Sequence, residues 1–175
     1  MIKYVDMTQA EGCFGIIAET GETIVFTGVS VNSMPMSVKR KEGELYEEFA
    51  RKYGINFIFD NEIPNIDFYT IPRVDVVAVD NKGGFIASVG EPFSLSEPVP
   101  LIYISKEKKC YLITDDSRTL LSIAGEWRAR LIPYSGITIY DSKDCARKDF
   151  KIIDLEKTDE YRNLMKLINN KQGQA

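Results

Sequence analysis

The sequence predicts an α+β fold, a single domain in which a curved, mainly antiparallel sheet packs against a few helices. Three observations lead there. Short apolar, β-branched runs recur along the chain, separated by turn-forming residues. Four of these runs form two consecutive hairpins joined by a proline-containing loop, the pattern of an antiparallel meander. Two other segments carry helical periodicity, one before the meander and one at the end of the chain. The chain has 175 residues, which corresponds to about one domain, and no repeat or composition shift marks a boundary within 1–175. Hydrophobic residues make up 44% and charged residues 27%, the balance of a globular chain rather than a disordered one.

Residues 1–36 read as β-rich. Phe14–Ala18 and Thr23–Thr27 are apolar runs separated by a short loop with Gly21, the spacing of a hairpin. Val29-Ser30-Val31 continues the second run past Gly28, where glycine suits a bulge. A helix is expected from about Ser37 to Tyr53, with Leu45, Tyr46, Phe49 and Tyr53 on its apolar face and Gly54 as its stop; Gly43 weakens its first turns. Ile55–Phe59 follows as a strand. Val74–Asp80 and Phe85–Val89 pair across the Asn81-Lys82-Gly83-Gly84 turn, and Leu101–Ile104 and Cys110–Thr114 pair across Lys106–Lys109. A short helix starts near Ser117, an expected N-cap, with Leu120, Leu121 and Ala124 on one face, and ends or kinks at Gly125. Ile137–Tyr140 and Phe150–Ile153 are late strands. In the helix expected over 158–170, Tyr161, Leu164, Met165 and Ile168 recur at i, i+3, i+4 and i+7.

Histidine is absent, which excludes a Ser-His-Asp triad, a Cys-His pair and any His-based zinc site within one chain. The three cysteines, Cys13, Cys110 and Cys145, are odd in number and widely spaced, which fits neither a disulfide framework nor a zinc ribbon. Neither GxGxxG nor GxxxxGK occurs, so no phosphate-cradling loop is expected. The net charge is −4, which disfavours nucleic acid and anionic lipid as partners. No apolar run approaches the ~20 residues that span a bilayer, and Met1–Ala10 carries Lys3 and Asp6 where a signal peptide would be apolar, so a cytoplasmic location is expected. The residues point to no catalytic set, no metal site and no cofactor.

The acidic residues at strand ends and the lone tryptophan remain as candidates for binding a protein partner. Asp75 and Asp80 flank one strand, and Asp115-Asp116 ends another. If they line the rim of the sheet, they supply a negative field. Asp116 also stands where a carboxylate caps a helix start. Trp127, between Glu126 and Arg128, is either a core residue or an exposed anchor of the kind enriched at interfaces.

The segment from about Gly43 to Ile123 resembles the SMI1/KNR4 (SUKH) superfamily. The resemblance is carried by Leu45-Tyr46-Glu47-Glu48-Phe49 in a helix, then Val76-Val77-Ala78-Val79-Asp80-Asn81-Lys82-Gly83-Gly84-Phe85. Pro100-Leu101-Ile102-Tyr103-Ile104 and the strand-to-helix step from Ile113 to Leu121 complete it. It implies a curved α+β sheet with a glycine turn between central strands. It also implies a non-catalytic interaction module, in bacteria commonly an immunity protein that neutralises a toxin domain. An acidic domain of that kind suits a basic toxin domain. The alternative from the residues alone is a small-ligand domain or an enzyme using carboxylate, Tyr or Lys chemistry in a pocket of the sheet.

Overall fold

The meander forms the centre of the molecule. The structure, a computed structural model, describes residues 1–8, 21–90, 98–159, 161–163 and 166. The chain opens with β1 (Ile2–Asp6), β2 (Thr23–Thr27) and β3 (Val29–Val31), followed by α1 (Met36–Tyr53). Then come β4 (Ile55–Phe57), β5 (Tyr69–Ile71), β6 (Val74–Asp80), β7 (Phe85–Val89), β8 (Leu101–Ile104) and β9 (Cys110–Thr114). A 3₁₀ turn at Ser117–Thr119 leads into α2 (Leu120–Ile123), and a second at Trp127–Arg130 leads into β10 (Ile132–Pro133). The chain continues with β11 (Thr138–Tyr140), α3 (Lys143–Ala146) and β12 (Ile152–Asp154). Residues 159, 161–163 and 166 are helical, within the expected 158–170 segment. The expected strand Phe14–Ala18, Cys13 and the remainder of that last helix lie outside the described residues. No helix among the described residues is long and apolar enough to cross a membrane.

The largest sheet has the order β10-β9-β8-β7-β6-β3, with β4 also on β6. Every pairing in it is antiparallel except β3 on β6. The hairpin across Asn81–Gly84 forms as the glycines predict, and each glycine has its own reason. Gly83 takes φ of +83°, while at Gly84 a Cβ would meet the Tyr103 ring at 2.4–2.6 Å. The run Val76-Val77-Ala78-Val79 is apolar without alternation because both faces of β6 are covered. A bulge between Val76 and Ala78 shifts the register there, which turns both Val77 and Ala78 to the helical side.

One face of this sheet (Ile55, Val77, Ile86, Leu101, Ile113) carries α2 and Trp127, with Phe49 and Tyr53 of α1 at the margin. The other face (Val74, Val76, Ala87, Ile102, Ile104) is covered by Phe68 and Ile137. Beside it stands a three-stranded sheet of order β12-β1-β2, parallel throughout. β11 pairs antiparallel with β5 in a sheet of two strands. The expected continuation of β2 past Gly28 is a change of sheet: β2 lies on β1, and β3 lies on β6. Gly28 makes the crossing at φ +104°, where a Cβ would lie 2.1 Å from Thr8 Oγ1.

Candidate functional site

Of the five residues expected at a partner surface, Trp127 and Asp80 meet through Arg128 and Tyr103, but both are buried. Trp127 is 2% exposed; its Nε1 donates to Tyr53 O at 3.0 Å, and Arg128 lies over its ring, 4.4 Å from the centroid. It is a core residue and is withdrawn as an exposed anchor, because the 3₁₀ turn aims its ring into the sheet face beside Leu120 and Ile123. Asp75 and Asp80 are each 4% exposed. Asp75 accepts from Ser30 Oγ at 2.7 Å. Asp80 accepts from the backbone N–H of Lys82 (2.9 Å) and of Gly84 (2.7 Å), from Tyr103 Oη (3.1 Å) and from Arg128 Nη2 (3.4 Å). Both acids therefore hold the fold rather than line an open rim. Burial, with Asp80 beside it, pushes the Tyr103 hydroxyl up to about 12. Asp115 is exposed. Asp116, rather than Ser117, is the cap of the 3₁₀ turn and accepts from Arg118 N at 3.0 Å. The Arg118 guanidinium bonded to it holds its carboxyl below the usual carboxylate range.

The structure instead opens a groove of about 500 Å³ between α1 and α2. Its floor is Val77 and Phe57, one wall is Leu45, Glu48, Phe49 and Lys52 of α1, and the other is Leu120 and Leu121 of α2; Asn32 and Met34 close the sheet end. The groove exists because α1 stands off the sheet on aromatic side chains. Tyr46 meets the rings of Phe57 and Phe59 edge-on at 5.8 and 5.5 Å, and Phe49 meets Phe57 at 5.5 Å. No residue of α1 is fully buried. Leu45 and Leu121 line the groove from the two helices at 60% and 61% exposure, large for residues of this size. The floor and walls are mostly apolar, with Glu48 the one carboxylate among the lining residues. The convergent Asp/Glu set that carboxylate catalysis requires is not at this groove.

The exposed face of α1 is mixed in charge, with four glutamates among Lys39, Arg40, Lys41, Arg51 and Lys52. Glu42, Glu44, Glu47 and Glu48 are all exposed, and none is ion-paired among the described residues. At Glu42 the backbone leaves the helical region (φ −129°, ψ 18°), so α1 is two helical pieces joined at Glu42-Gly43. The second piece begins at Gly43 and Gly54 ends it, in the left-handed conformation.

A second polar cluster is structural. Lys143 of α3 bridges Asp6 of β1 and Asp154 of β12, and Asp154 also receives Arg147 (2.7 Å) and Lys157 (2.8 Å). Burial alone would raise the Asp154 carboxyl, but the cations around it outweigh burial and hold it far below the usual range. With Asp144 on Arg147 at 3.1 Å the cluster pairs three cations with three carboxylates, and it joins α3 to the parallel sheet.

Sequence reasoning placed Leu45 and Leu121 on the buried faces of their helices. The available signal was an excess of apolar residues: Leu45-Tyr46 and Leu120-Leu121 are adjacent pairs, whose members point about 100° apart on a helix. No family model, curated protein or solved structure matches this chain.

Proposed function

We propose that this chain is a non-catalytic protein-binding domain that meets its partner at the α1–α2 groove. In this reading it is an immunity-type or regulatory module of the SMI1/KNR4 kind, and its partner is a basic protein such as a toxin domain. The observation that carries the reading is an apolar floor with one exposed leucine on each helical wall and charged side chains along α1 beside it. An apolar centre with a charged rim is the anatomy of a protein interface, and complementary charge sets partner choice and on-rate. A cytoplasmic site of action is part of the proposal; the free thiols of Cys110 and Cys145 support it. Among the described residues no cluster of three or more metal-ligating side chains occurs, and the proposal invokes no metal.

The test begins with a purified candidate partner from the host, titrated against the chain and against a Leu45→Glu, Leu121→Glu double variant. Both positions are exposed, so the variant keeps its fold. Affinity is expected to fall by about 100-fold, two anchor residues at about 1.4 kcal/mol each. The on-rate is expected to fall as salt rises, since screening shortens from ~10 Å at 0.1 M to ~3 Å at 1 M. Equal affinity for the double variant would contradict the proposal. So would turnover of a small molecule in the groove.

A further inference from the structure

We draw no further inference here: the strongest candidate, the apolar groove between α1 and α2, belongs to the site already described, and nothing in the structure shows what covers it.

Discussion

A carboxylate that accepts four hydrogen bonds inside the fold contributes to stability, not to encounter with a partner. Asp80 is such a group: removing it strands the Gly84 N–H and the Tyr103 hydroxyl beside the buried Arg128 Nη1, which already has no partner. Asp80→Ala is expected to cost about 2–4 kcal/mol in urea denaturation, while Asp115→Ala, at an exposed site, should stay within ~0.5 kcal/mol. Trp127→Ala should cost about 3–5 kcal/mol, since it empties a fully packed ring site and strands Tyr53 O. If Trp127→Ala left the denaturation midpoint unchanged, its place in the core would be wrong. These roles were half legible in the sequence. The strand ends that carry Asp75 and Asp80 were readable from local pattern. Whether an acid at a strand end faces solvent is decided by distant residues, here Tyr103, Arg128 and Ser30, which pattern does not place.

At the scale of elements, the glycines and the polar network make separable predictions. Gly43 sits in open space within α1, without positive φ, so Gly43→Ala should stabilise by about 0.5–1 kcal/mol through helix propensity and a less flexible unfolded chain. Gly28→Ala should destabilise by more than that, because the sheet crossing needs positive φ and the space is filled by Thr8. The Lys143–Asp154 network sets a pH dependence. Asp154 has a folded pKa below its unfolded value of about 3.9, so its stabilisation is complete above that value and is lost as pH falls through the folded one. Lys143 is raised, its partners Asp154 and Asp6 outweighing burial, so its contribution is complete below its unfolded value of about 10.4 and is lost at higher pH. Melting temperature should therefore drop below about pH 4, and Asp154→Asn should flatten that acid limb; an unchanged limb would show that the network does not govern acid stability. The helices and meander were legible because turn glycines and 3.6-residue periodicity are local signals. The parallel sheet was not: β1 is five residues, and its partner β12 lies about 150 positions away (Tyr4 opposite Ile152). The groove was hidden for a similar reason. The 3₁₀ turn at Ser117–Thr119 sets the rotation of α2, which sends Leu120 inward and Leu121 outward.

The whole molecule is an α+β domain of net charge −4 whose stability comes from its core, and the α1–α2 groove is where we propose that it meets a partner. The core needs no metal or disulfide at this size, so melting should shift by less than ~5 °C, on the order of 1–2 kcal/mol, with EDTA or reductant. Cys110 fits that picture, because burial pushes its thiol up to about 12 and keeps it protonated. The central claim is that protein binding resides in the α1–α2 groove. The most direct measurement is calorimetric titration of a purified protein partner against the native chain and the Leu45→Glu, Leu121→Glu variant, with melting temperature recorded for both. The account predicts equal melting temperatures within a few degrees and an affinity lower by about 100-fold in the variant. Equal melting temperatures with equal affinities would contradict it.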